Sequence, residues 1–322
     1  MTIFRKYPEI VRLDKRPEIL SVKHVVATEK IHGTNFRIFF PAGMTSLAEV
    51  RFGGRNEEFE NGDDGFYGGR PVRWFKNQPE LLQRMFEVFS SHGFSDVTVF
   101  GEAFGAGIQK GVRYVPGDQV LFRTFDIMVG DNFVTYDLFV KLCDESTLAR
   151  VPEVWRGEPS IDAFNALLEQ SSVEAANNGV AVDGNIAEGV VIRSSPLLRD
   201  VFGQWLIIKH KSEKFAEVAK RDPSTIANDP TPAQSFAEMF VAEGRIVNAL
   251  GRLRDRGVTL ENDMADMRPL VPELIADLLK ECHAEWQTAL SEGASDKQIR
   301  GAVTKTLGTV YRRMLNARAD ES

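Results

Sequence analysis

Runs rich in β-branched and aromatic residues recur through the first two thirds of the chain, separated by polar and glycine-bearing turns. They predict strands over residues 22–28, 35–40, 97–101, 120–129, 189–193 and 205–210. Between them, residues 79–91 carry Leu81, Leu82, Met85, Phe86 and Phe89 on one helical face. Residues 160–171 read as a second helix, with Ser160 as N-cap for Ile161, Phe164, Leu167 and Leu168. Residues 53–69, rich in Gly, Asn, Asp and Glu, predict a loop. The pattern changes after residue 220. A proline-bearing connector, 221–232, leads to three stretches of helical periodicity, 233–250, 271–290 and 296–318. The last aligns Ile299, Val303, Leu307, Val310 and Met314. The expectation is a mixed α+β domain over 1–222, followed by a small all-helical domain over 233–322.

Composition adds bounds. A length of 322 residues is comfortable for two domains, and 43% hydrophobic with 26% charged residues is ordinary for a globular protein. The N-terminus lacks the apolar run of a signal peptide, and no apolar stretch approaches a membrane span, so a soluble, cytoplasmic protein is expected. Cys143 and Cys282 sit in no metal-ligand spacing and read as reduced core residues. A net charge of −7 counts against bulk electrostatic binding of nucleic acid and confines any polyanion site to a local patch.

The chemistry concentrates in short polar segments at strand ends. Glu29-Lys30-Ile31-His32-Gly33-Thr34-Asn35 places a lysine at a strand exit, with a carboxylate before it and a His-Gly turn after it. Similar segments are Phe100-Gly101-Glu102, Thr124-Phe125-Asp126-Ile127, Glu188-Gly189-Val190-Val191-Ile192 and Lys209-His210-Lys211. Alternation puts Lys209 and Lys211 on one strand face, with His210 opposite. Two lysines on one face repel unless they share an anion, and a triphosphate would satisfy both.

In order and spacing, these segments resemble the nucleotidyltransferase motifs shared by ATP-dependent ligases and capping enzymes. The form Lys30-x-His32-Gly33-x-Asn35 is similar to that of the phage-type RNA ligase 2 family, whose better-known members seal nicks in duplex RNA. DNA ligases and capping enzymes typically carry aspartate where His32 stands. The resemblance covers roughly residues 1–220 and includes Gly105-x-Gly107-Ile108-Gln109-Lys110 after Glu102. It implies a nucleotidyltransferase, ATP-grasp-like ligase domain of antiparallel sheets with flanking helices, using ATP as substrate and magnesium or manganese.

The resemblance also implies roles. Lys30 attacks the α-phosphate of ATP to give lysyl-AMP, and Lys209 and Lys211 contact that phosphate. Glu29 accepts from the adenine amino group, Phe125 stacks on the adenine, and Glu102 binds the ribose hydroxyls. Arg55 contacts ribose or the RNA end, Glu188 holds the metal, and His32 and Asn35 act after adenylation. An unperturbed lysine with a pKa near 10.4 is only about 0.04% neutral at pH 7, a deficit of roughly 4.6 kcal/mol, so the site must activate Lys30. The implied partner is RNA bearing 3′-hydroxyl and 5′-phosphate ends at a duplex nick, bound by a monomer.

Each motif alone has a plainer reading: a solvated lysine, a capped core strand, a turn, the exposed face of an edge strand. Their ordered coincidence carries the functional one. His24, His92, His210 and His283 read as structural, the acidic loop 57–64 as solvated, and the tyrosines and tryptophans as core. The 101–107 segment lacks the Gly-Lys-Ser/Thr of a phosphate-binding loop. In the helical domain, Arg245, Arg252, Arg254, Arg256, Lys297, Arg300, Lys305, Arg312, Arg313 and Arg318 are either phosphate contacts for an RNA duplex or a solvated amphipathic face. The competing functions are a ligase for DNA or mixed nicks and a catalytically silent RNA-end-binding protein.

Overall fold

The computed structural model describes residues 5–59, 66–109, 111–212, 215 and 231–320, the last three without their side chains. Lys110, residues 60–64 of the acidic loop, the 221–230 stretch of the connector and the Arg318 side chain lie outside the described residues. The chain divides into two compact units, Met1–Ser212 and Glu213–Ser322.

The strands of the first unit, in chain order, are β1 (Val11–Arg12), β2 (Val25–Glu29), β3 (Thr34–Phe40), β4 (Arg51–Gly53) and β5 (Val97–Gly105). They continue with β6 (Val120–Val129), β7 (Asn132–Phe133), β8 (Glu153–Gly157), β9 (Gly189–Ser194) and β10 (Ile207–Lys211). They form two five-stranded sheets, ordered β1-β10-β9-β2-β8 and β4-β3-β5-β6-β7. Every strand pair is antiparallel except β1 with β10. The helices are α1 (Arg70–Lys76), α2 (Pro79–Ser91), α3 (Tyr136–Ser146), α4 (Ile161–Ala166) and α5 (Val173–Asn177).

Period-two alternation decides which way each strand faces. In the first sheet, Val25, Ala27, Val190, Ile192 and Ile208 pack with Ile19, Phe164 and Leu167 in one core. In the second, Phe36, Ile38, Val97 and Val99 pack with Phe75, Met85, Phe89 and Phe139 from α1, α2 and α3. The faces left over carry polar groups: Thr28, Arg193 and Lys209 on one sheet, Asn35, Arg37 and Glu102 on the other. A fully buried ion pair between Arg193 and Asp126, 3.0 Å, joins these two faces, so they oppose each other across a cleft.

The helix over Pro79–Ser91 forms as expected, but the 160–171 helix breaks after Ala166 into a single tighter turn, Leu167–Glu169. Ser160 caps it, accepting from the Ala163 amide. Helix α1 was masked by its start, Gly68-Gly69-Arg70-Pro71, which reads as turn composition. Proline in the first turn is compatible with a helix, because that N–H has no intrahelical acceptor.

The second unit is helical: α6 (Pro232–Phe240), α7 (Glu243–Asp255), α8 (Met267–Glu281), α9 (His283–Ser291) and α10 (Asp296–Asp320). Its core joins Phe236, Leu250, Leu274, Leu278, Trp286, Ile299, Val303 and Leu307. The 233–250 and 271–290 periodicities each contain a break, near residue 241 and at Cys282. On α10 Tyr311, rather than Val310, joins the buried stripe and donates to Asp266 at 2.7 Å, while Val310 packs at its margin. Among the described residues no helix is long and apolar enough to cross a membrane.

Candidate active site

Strand register brings the motifs together. The Lys30 amide donates to the Gly189 carbonyl (2.9 Å), and Gly189 also faces Lys211 across the β9–β10 ladder. Glu188, the residue before β9, therefore lies between two lysines. One of its carboxylate oxygens is 2.8 Å from Lys30 Nζ, and the other is 3.1 Å from Lys211 Nζ. Burial alone would raise this carboxyl. The charges of Lys30, Lys211 and His32 instead hold it down at about 2. Gly189 is required here by close approach: a Cβ would sit 2.1 Å from the His210 carbonyl oxygen and push β10, with Lys211, away. Lys209 shares the cleft face with Lys211, while His210 points away and meets Asn165 at 2.9 Å.

The opposite wall carries Asn35, paired across β3–β5 with Glu102. The Asn35 Oδ1 atom is buried and has no hydrogen-bond donor among the described residues. Gly33 lets the turn after Lys30 press onto β5, since a Cβ there would lie 2.3 Å from the Ala103 carbonyl oxygen. His32 is buried beside this turn, and its amide donates to the Tyr114 hydroxyl at 2.7 Å.

Phe125 occupies a bulge. Phe100 pairs with Asp126 and Gly101 with Thr124, leaving Phe125 between them without a partner across the ladder. Its ring meets Tyr7 edge-on at 4.9 Å, and its carbonyl accepts from Arg193 at 3.1 Å. Tyr7 in turn donates to Asp126 (2.9 Å), and its phenol is pushed well up, by burial first and then by the Asp126 charge. Arg55 does not reach the lysine cluster through any direct contact in the structure. Its side chain is exposed, and its main-chain oxygen accepts from buried Arg37. Burial and the nearby Arg55 charge lower Arg37 to about 10.

Glu29 is engaged away from the lysine cluster. It is consecutive with Lys30, so alternation turns its side chain from the lysine face. There its carboxylate accepts from the Ser172 hydroxyl (2.6 Å) and the Glu174 amide (2.8 Å). A carboxylate so engaged holds the start of α5. Tyr114, Ser172, Glu174, Asp126 and Arg193 have no role assigned from the sequence pattern, although Asp126 stands within the Thr124–Ile127 segment. Tyr114 had no local signal, because its partner lies 82 positions away.

The arginines of α7 are largely neutralised within their own unit. Arg245 pairs with Asp277 and Glu281, Arg252 with Glu273 and Asp277, and Arg256 with Glu273. On α10, Arg300 pairs with Asp296 and Arg313 with Glu243. Lys297, Lys305 and Arg312 are exposed, with no acidic partner among the described residues.

Among solved structures, an apo mutant of a Naegleria gruberi RNA ligase matches at 18% identity and a TM-score of 0.47, over 66% of this chain and 56% of that one. The same ligase with PPi matches at 17% and 0.46, over 66% and 57%. A mutant of it with ATP and Mn matches at 17% and 0.47, over 66% and 56%. This chain thus spans a little over half the length of those proteins. A family model described as RNA ligase matches residues 23–210, more than half of the sequence and the whole stretch from β2 through Lys209, and the chain belongs to the RNA ligase family.

Proposed function

We propose that the protein is an ATP-dependent RNA ligase that seals 3′-hydroxyl to 5′-phosphate ends at nicks in duplex RNA. The observation that carries this reading is the convergence of two lysines on one buried carboxylate: Lys30 and Lys211 share Glu188, and Lys209 lies on the same strand face. Lysines gathered in this way suit the phosphates of a nucleoside triphosphate. In the first step, Lys30 Nζ attacks the α-phosphorus, the bond to pyrophosphate breaks, and Nζ loses its proton as the phosphoramidate forms. Lys209 and Lys211 offset the charge that grows on the phosphate oxygens. An RNA 5′-phosphate oxygen then displaces Lys30 from that phosphorus. Finally a 3′-hydroxyl attacks the activated 5′-phosphate and AMP leaves.

Asn35, with its open acceptor, and Glu102 beside it suit the ribose side of the nucleotide, and Phe125 suits the base. Among the described residues no three His, Cys, Asp or Glu side chains gather as a metal cage. This fits magnesium or manganese held by Glu188 together with substrate phosphates, the usual arrangement for magnesium at phosphate sites. That ion would supply neutralisation of phosphate charge. The first unit is then the adenylyltransferase, and the helical unit docks RNA.

The test is the intact mass of the protein after incubation with ATP and magnesium, with the adduct mapped by peptide. AMP on Lys30, absent in Lys30→Ala, supports the reading, and an adduct that persists in Lys30→Ala would sink it. Side-by-side sealing of nicks with RNA or DNA on the 3′-hydroxyl side then fixes the substrate.

A further inference from the structure

Lys30 sits in the middle of a closed circuit of hydrogen bonds that lies outside the cleft chemistry. On one side, Glu29 holds Ser172 and the Glu174 amide. The Glu174 carboxylate accepts from Asn178 Nδ2 (2.7 Å) and pairs with Arg123 (2.7 Å). Asn178 Nδ2 also donates to the Tyr114 main-chain oxygen (3.0 Å), and the Tyr114 hydroxyl closes the circuit by accepting from the His32 amide (2.7 Å).

The loop that delivers Tyr114 is tied before any ligand arrives. Gln109 exchanges hydrogen bonds with the Val112 main chain, and Asn185 does the same with Arg113. The Tyr114 ring packs edge-on against Phe104 at 5.0 Å and is 1% exposed. Burial first, and then the charges of Glu29, Glu188 and Glu102, keep the phenol protonated far above its usual range. A neutral hydroxyl therefore stands among the carboxylates of the site, fixed by ring and main chain and bonded to the turn after Lys30.

We propose that Tyr114 is a positioning residue for adenylation: by accepting the His32 amide it fixes the Lys30–Asn35 turn, and so places Lys30 for in-line attack. This rests on the reading of Lys30 as nucleophile. A displacement near 1 Å at a reacting group is enough to cost on the order of 100-fold in rate. Tyr114 makes no charge contact that Lys30 depends on, so its loss acts on geometry alone.

The experiment is single-turnover AMP-adduct formation by wild type and Tyr114→Phe, over a range of ATP concentrations and pH. Sealing of chemically pre-adenylated RNA, which bypasses Lys30, is measured beside it. The expected result is a rate constant lowered at least 10-fold, an apparent ATP constant within about 2-fold, an unshifted pH midpoint, and pre-adenylated sealing reduced less than adenylation. An unchanged adenylation rate, a shifted midpoint, or equal loss of both activities would overturn the proposal. Where Tyr114→Phe fails to fold, 3,5-difluorotyrosine at 114 keeps ring and hydroxyl while weakening the acceptor, and a several-fold slowing is expected; wild-type rate in that variant overturns the proposal. No adduct on wild type at all would instead refute the nucleophile reading.

Discussion

Among the described residues of the first unit, the buried ionic clusters at Asp126 and at Glu188 differ in charge balance. At Asp126 one carboxylate meets one guanidinium, Arg193, and the Tyr7 hydroxyl adds a neutral donor. That cluster is one-to-one in charge, although the buried Arg193 Nε atom has no hydrogen-bond partner among the described residues. Around Glu188, one carboxylate serves two lysines, Lys30 and Lys211. Two like charges held close in a part-desolvated cleft repel each other, an arrangement suited to a place where an anionic ligand binds. The one-to-one pair ties two sheets, and the two-to-one cluster forms the candidate site.

Removing a cation from each cluster should break the two in opposite ways. Arg193→Met leaves Asp126 buried without its cation, and the expected loss is about 3–5 kcal/mol, read by urea or thermal unfolding. Phe125 loses the donor to its carbonyl in the same change, so adenylation falls with stability. Lys211→Met instead relieves repulsion and leaves Glu188 paired with Lys30. Stability is expected to stay within about 1 kcal/mol, while AMP-adduct formation falls on the order of 100-fold. A large destabilisation by Lys211→Met would show the second cluster to be a structural tie as well.

This contrast was only half legible in the sequence. The strands flanking Lys30 and the shared face of Lys209 and Lys211 follow from alternation, which needs no knowledge of neighbours. The α2 boundaries follow from helical periodicity. Charge balance does not, because it depends on pairs such as Lys30 with Glu188, separated by 158 positions, and on which face a side chain meets. Glu29 shows the limit well. It stands next to Lys30 in the chain, but adjacency along a strand means opposite faces, and its partners Ser172 and Glu174 lie 143 and 145 positions away. The two readings of the arginine-rich stretch of α7 stay open in the sequence for the same reason: Glu273, Asp277 and Glu281 are silent until α8 packs against it.

Acid sharpens the comparison with a smaller effect. The Glu188 carboxyl is held at about 2, below the 4.5 of the free group, so its contribution to stability is full above pH 4.5 and disappears as pH falls toward 2. That depression corresponds to roughly 3 kcal/mol at most. Wild type and Glu188→Gln, compared by chemical denaturation from pH 6 downward, should converge across this window. Parallel curves throughout would mean that the lysines do not stabilise the ionised carboxylate.

The helical unit repeats the distinction at its surface, where effects are smallest. On α7, Arg245, Arg252 and Arg256 are closed by α8 carboxylates, whereas Lys297, Lys305 and Arg312 of α10 are exposed surplus. At 100° per residue the latter three fall within about 80° of one another on the helix, a stripe suited to one phosphate backbone. Replacing all three with alanine should weaken binding of a nicked RNA duplex by a few-fold to about tenfold at moderate salt. It should also reduce the slope of log K against log salt by about 2 to 3, and leave AMP-adduct formation unchanged. Arg256→Ala should leave the salt slope alone, because half-exposed Arg256 is already spent on Glu273, and the stability lost is about 1 kcal/mol or less. If the slope responds to Arg256 and not to the α10 stripe, surplus charge is not what selects the RNA-facing surface. The rule drawn from the Glu188 cluster would then hold only where the charges are buried.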